Sequence, residues 1–184
     1  MWKDRPASPE GPRSPVAALL DNIRSAFNVG DMFRSADALR LGHLYLAGIT
    51  AFPPNSKLEK TALGSTDSVP WSHHLRVFDA AEQIRSDGYQ LVAIEMTPSS
   101  QSLFEWPGLE KPCFVFGHEV LGVDRELLRQ ADAVLHLPMM GMKNSLNVSS
   151  SFAVTLYHFL DRFGQLPSGS PELTEHYLPN RREE

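Results

Sequence analysis

The sequence predicts an α/β domain, a mainly parallel sheet flanked by helices. Three observations lead there. Stretches with apolar residues at helical spacing alternate with short apolar runs of strand length, and strands separated by helices imply a parallel sheet. The run CFVF at 113–116 is apolar throughout, as strands buried on both faces are. A chain of 184 residues, 42% hydrophobic and 21% charged, is long enough for one domain with a sizeable core.

Taken in order, residues 1–15 are proline-rich and without periodicity, and read as a disordered lead-in to a domain spanning 16–165. Asn28 is placed to cap a first helix with Met32, Phe33, Ala36 and Leu39 on its inner face and Gly42 as its stop. Residues 43–49 read as a strand. Asp79 is placed to cap a second helix that ends at Gly88, and 89–95 follows as the next strand. After the strand at 113–116, Asp124 starts a helix and 133–137 forms another strand. The last helix carries Phe152, Ala153, Leu156, Phe159, Leu160 and Phe163 on one face and closes at Gly164. The tail, 166–184, has Leu173, Tyr177 and Leu178 as residues that could dock. Ligands of parallel sheets sit at the carboxyl ends of strands. The loops after Glu95, Phe116 and Leu137 should therefore meet at one edge.

Composition narrows the function. A net charge of −5 argues against a surface that is basic throughout, though not against a local cationic site. Cys113 is the only cysteine, so disulfides and cysteine-based metal sites within one chain are excluded, and its apolar neighbours mark it as a small core residue. No apolar run approaches the roughly 20 residues of a membrane span. No signal peptide is evident, and a reduced, cytoplasmic protein is the expectation. His73-His74 lacks partners at metal-ligand spacing and reads as surface; no metal is expected. No phosphate-binding glycine motif is present.

Three segments carry candidate chemistry. In NIRSAFNVGDMFRSADALRLG, Arg24, Arg34 and Arg40 are expected near a helix N-terminus, suited to an anionic partner. A solvated helical face explains them equally well. In FGHEVLGVD, Gly117 after a buried strand allows close backbone approach, and Glu119 could pair with Arg34 or orient a polar group. A turn plus helix cap is the plainer alternative. In LPMMGMKNSLNVSSSFAVTLY, Ser145 and Asn147 are two potential caps for the last helix, one more than a helix needs. The loop around Met139 and Gly141 could wrap a ligand.

Together NVGDMFRSA, FGHEVLG and LPMMGMKNSLNVSSSFA resemble, in order and spacing, the three motifs of the SpoU (TrmH-like) RNA ribose 2'-O-methyltransferases, over residues 20–163. The segment KTALGS, with Val69, Pro70 and Trp71, is similar to a compact branch of that family. The resemblance implies a deep C-terminal trefoil knot, formed by threading residues 137–146, and a homodimer whose sites are completed by the second subunit. It also implies S-adenosylmethionine as cofactor, held mainly by backbone groups around Glu95, Gly117, Leu137, Met139, Ser145 and Leu146. The substrate-side residues carried over are Asn28, Arg34, Glu119, Ser145 and Asn147. RNA, either tRNA or rRNA, would be the substrate, held through Arg24, Arg34, Arg40, Lys57 and Lys60. The family's motif-one arginine is proposed as general base. A guanidinium with a pKa above about 12 is a poor base, and orientation with charge stabilisation suits Arg34 better. His118 stands where the family usually has a small polar residue, and could add a pH-sensitive contact. The competing reading is a catalytically silent relative that binds RNA or the cofactor.

Overall fold

The structure is a computed structural model, and it describes residues 12–166. The expected lead-in up to residue 11, and Leu173, Tyr177 and Leu178 of the tail, lie outside these. Residues 12–15 do not behave as a loose lead-in. Ser14 N–H donates to the Arg40 carbonyl, and the Arg13 guanidinium donates to the carbonyls of Leu41 and Ser68.

Seven strands form one sheet, all neighbours parallel: β1 (Ala17–Asp21), β2 (His43–Ala47), β3 (Trp71–His74), β4 (Gln90–Ile94), β5 (Gln101–Ser102), β6 (Pro112–Phe116) and β7 (Ala133–His136). Their order across the sheet is β3-β2-β1-β6-β4-β7-β5. Among the described residues five α-helices flank it: α1 (Ala26–Ala38), α2 (Ser56–Ala62), α3 (Val77–Ser86), α4 (Arg125–Gln130) and α5 (Val148–Arg162). Strand alternation divides the core in two. Ala18 and Leu20 of β1, Phe114 and Phe116 of β6 join Phe33, Leu58, Phe152 and Phe159 under α1, α2 and α5. Ala17 and Leu19, with Cys113 and Val115, join Ala81, Ile84 and Leu127 under α3 and α4. Every residue of β1 and β6 is buried, the pattern anticipated for 113–116.

The predicted α/β class and parallel sheet are present. β1, β3, β5 and α2 were not anticipated: β5 has two residues, β3 (WSHH) and α2 (SKLEKTA) carry too few apolar residues to show a period, and β1 lies in the stretch left unassigned between the lead-in and the first helix. Helix caps also differ. Ser25, not Asn28, caps α1, its side chain accepting from Asn28 N–H, which places Asn28 inside the first turn. Arg76 occupies the α3 cap position and Asp79 lies in the first turn. α1 ends before Gly42, because Arg40 turns the chain back with φ of 50°. Gly42 serves another purpose: a Cβ there would lie 2.7 Å from the Tyr89 hydroxyl and 2.9 Å from the Ser14 carbonyl. His73 and His74 are half-buried strand residues, not surface ones, and His73 Nε2 bonds the Gly48 carbonyl at 3.0 Å. Phe163 is 41% exposed and stacks on Phe159 outside the core face of α5.

Candidate functional site

Because β6, β4 and β7 are neighbours, the loops that leave their carboxyl ends meet, as expected for 95, 116 and 137. They enclose a cavity of about 530 Å³. Ile94, Phe116, Leu137 and Leu146 supply apolar walls; Glu95, Glu119, Ser145 and Asn147 supply polar ones. Such a volume and mixture suit a nucleoside-sized ligand.

The mouth of the cavity is organised by one carboxylate. Glu119 accepts from Arg24 N–H at 2.9 Å, Ser25 N–H at 3.0 Å and Asn28 Nδ2 at 3.2 Å. Asn28 Oδ1 in turn accepts from Asn147 Nδ2 at 3.3 Å. Asn147 caps α5 through Oδ1, which accepts from Ser149 N–H at 2.9 Å. Residues 28, 119 and 147 are distant in sequence yet form one chain of hydrogen bonds. Ser25 makes this possible: by capping α1 itself, it leaves the Asn28 amide free to reach Glu119. Partial burial pushes the Glu119 carboxyl up. Hydrogen bonds from backbone N–H groups and from Asn28 outweigh that and hold it below the ordinary glutamate value. A carboxylate so saturated with donors is a weak proton acceptor and a good anchor.

A second carboxylate shapes the loop after β6. Glu95 Oε1 accepts from Met96 N–H and Oε2 from Val123 N–H, both at 3.0 Å. His118 Nδ1 accepts from Val120 N–H at 3.0 Å and Leu121 N–H at 3.2 Å, turning the loop between them. Gly117 permits a close approach, but the approaching group is the loop itself: an added Cβ would sit 2.2 Å from Gly122 C and Val123 N. Behind this loop, Asp21 is buried and accepts from Asp124 N–H at 3.1 Å; desolvation raises its pKa despite that bond.

The structure brings Asn28, Glu119 and Asn147 together, with Ser145 on the same cavity wall. Gly117, Glu95, Leu137, Met139 and Leu146 line the cavity too. Gly141 does not: none of the described residues lies within 4 Å of a Cβ built there, and Met140 and Met142 are exposed. Arg34 is not brought to Glu119. Six residues after Asn28, it points elsewhere from α1 and is exposed, and its side chain makes no ion pair or hydrogen bond among the described residues. The expected cluster of arginines at a helix N-terminus does not form. Arg24 precedes α1 and Arg40 follows its end, and a helix of 13 residues separates them by about 20 Å. Lys57 and Lys60 are exposed on α2. Sequence reasoning missed Ser25, whose signal was a serine three residues before Asn28, and the bonding of Glu95 and His118, which had no local signal. Among the described residues no group of three or more His, Cys, Asp or Glu side chains could hold a metal ion.

Fold and site thus define a parallel α/β domain with a nucleoside-sized cavity at the carboxyl ends of its central strands, its mouth tied by Glu119, Asn28 and Asn147. The model of the SpoU rRNA Methylase family matches residues 15–157, and the chain belongs to that family. It is 28% identical over 145 residues to a tRNA (guanosine(18)-2'-O)-methyltransferase of Escherichia coli K12, covering 77% of this chain and 61% of that protein. It is 29% identical over 140 residues to the 23S rRNA (guanosine(2553)-2'-O)-methyltransferase RlmP of Bacillus subtilis, covering 76% and 56%. The chain therefore spans about three-fifths of the length of these relatives. Among solved structures, the A. aeolicus TrmH/SpoU tRNA modifying enzyme superposes with a TM-score of 0.72 at 27% identity, over 87% of this chain and 84% of that one. The SpoU methyltransferase AviRb from Streptomyces viridochromogenes, in complex with the cofactor AdoMet, gives 0.71 at 26% identity, over 80% and 60%.

Proposed function

We propose that this chain is an S-adenosylmethionine-dependent methyltransferase acting on a ribose 2'-hydroxyl of tRNA or rRNA, through the domain at 16–165. The hydrogen-bonded chain Glu119–Asn28–Asn147 at the cavity mouth carries the reading, since it joins one polar residue from each of the three motif segments. The cavity fits the cofactor: its volume is adequate, Ile94, Phe116, Leu137 and Leu146 offer apolar contact for a purine, and the surrounding loops offer backbone groups. When bound, the cofactor supplies an electrophilic methyl group.

The chain's own residues then have to place a ribose oxygen in line and stabilise the charge that develops. Glu119 stays ionised and fixes Asn28; Asn28 and Asn147 hold the mouth in register; Ser145 presents a hydroxyl to the same space. Arg34 orients the ribose and its phosphate rather than taking the proton. Its position outside the single-chain cavity fits a homodimer in which a second copy completes each site. We also propose that residues 137–146 thread the trefoil knot. A cytoplasmic location suits an RNA substrate, and no helix among the described residues is long and apolar enough to cross a membrane.

Calorimetric titration with S-adenosylmethionine, followed by labelled methyl transfer into total tRNA and rRNA with nucleoside mapping, tests the reading. Binding and a 2'-O-methylated nucleoside are expected. Absence of cofactor binding refutes the enzyme, while binding without transfer to any RNA supports the silent relative.

A further inference from the structure

A second cavity lies beside the first on the same edge of the sheet. It opens over the carboxyl ends of β2 and β1, occupies about 670 Å³, and is walled from its neighbour by residues 24 and 25, whose N–H groups hold Glu119. Its lining contrasts with the chain as a whole. In a protein of net charge −5, the described residues that line it include two cations, Arg24 and Lys57, and no carboxylate. Neither cation makes an ion pair among the described residues. Three large apolar side chains line the same groove and remain open to solvent: Phe27 at 47%, Ile49 at 66% and Phe52 at 43% exposure.

Phe52 is not a loose surface ring. His73 lies against it with ring centroids 4.1 Å apart and planes inclined by 32°, and Trp71 stands 6.5 Å away. The loop that carries Phe52 is anchored by buried Thr50, whose hydroxyl donates to the Leu20 carbonyl and accepts from Ile23 N–H, both at 3.0 Å. An aromatic ring supported on one side, exposed on the other, and flanked by cations is how single-stranded nucleic acid is bound: bases stack and phosphates find the charges. Pre-organisation of the ring lowers the entropy lost on binding.

We propose that this groove is a stacking subsite for an unpaired base of the RNA, neighbouring the nucleotide that is methylated, with Arg24 and Lys57 on its phosphates. The inference rests on the RNA-methyltransferase reading and adds a preference: the target nucleotide lies in a loop or single strand, not in a duplex.

The test uses the full chain and a short mixed-sequence RNA carrying one 2-aminopurine, single-stranded or annealed to its complement. Wild type should bind the single strand more tightly than the duplex and quench the probe. Phe52→Ala should weaken single-strand binding about tenfold or more and abolish the quenching, while Phe52→Tyr keeps both. Lys57→Ala should lower the dependence of binding on salt by roughly one phosphate contact. All three variants should bind S-adenosylmethionine as wild type does. Equal affinity of Phe52→Ala and wild type for the single strand overturns the subsite, as does equal binding of duplex. A change of sedimentation from dimer to monomer in Phe52→Ala also overturns it, by assigning the ring to an interface between copies. Loss of cofactor binding in the wild type would instead refute the methyltransferase reading.

Discussion

Replacing Gly30 by alanine tests how α1 is seated, and with it the position of Asn28. Gly30 is buried where α1 crosses α2. A Cβ there would stand 2.0 Å from Thr61 Oγ1, 2.3 Å from the Leu58 carbonyl oxygen and 3.0 Å from Ala62 N. Thr61 could rotate, at the loss of its bond to the Phe27 carbonyl. The Leu58 carbonyl is backbone and cannot turn aside. It lies about 1 Å inside ordinary contact at 3.4 Å, so the helices must separate. Overpacking of this kind costs about 3 kcal/mol at the upper end of its usual range. Alanine regains about 1 kcal/mol of helix propensity. A net loss of about 2 kcal/mol remains, equivalent to roughly 4–8 °C in melting temperature for a domain of this size. Thermal melts followed by circular dichroism measure it. A variant that melts at or above the wild-type temperature would show that propensity dominates and that the close crossing does not fix α1.

Other expectations follow from the same geometry. Arg34→Ala should abolish methyl transfer while leaving cofactor affinity close to wild type, since Arg34 does not line the cavity; equal loss of both in calorimetry and transfer assays would reassign it. Glu119 should contribute stability above the ordinary glutamate value of 4.5 and lose it as pH falls through its depressed folded-state value. The difference in urea midpoint between wild type and Glu119→Gln should therefore shrink on acidification, and a difference that grows would contradict the hydrogen-bonding scheme. Cys113 is fully buried and burial raises its thiol pKa well above normal, so native protein should resist thiol reagents that label the urea-unfolded chain. Rapid native labelling would refute its core position.

The order of helices and strands was legible because apolar spacing and turn residues are local signals. Residues 113–116 read as a buried strand, and Asp124 and Asn147 as caps, from a few neighbours alone; the structure agrees. The three polar motifs were legible as candidates for the same reason, and the family they resemble is the one to which the chain belongs. β3 and α2 were not, since WSHH and SKLEKTA hold too few apolar residues to show a period and are completed by packing on β2 and α1. Nor did Asn28 betray its place: as a cap its amide would serve its own helix, and only the choice of Ser25 turns it toward Glu119. Sequence by itself determined the class of fold, the apolar faces and which polar residues were available, because these depend on composition and periodicity. Tertiary structure decided which of them meet. The strand order, placing β6 between β1 and β4, sets Glu119 against the start of α1 and lines two cavities along one edge, whereas Arg34 and Arg40 are carried away by the length and pitch of α1.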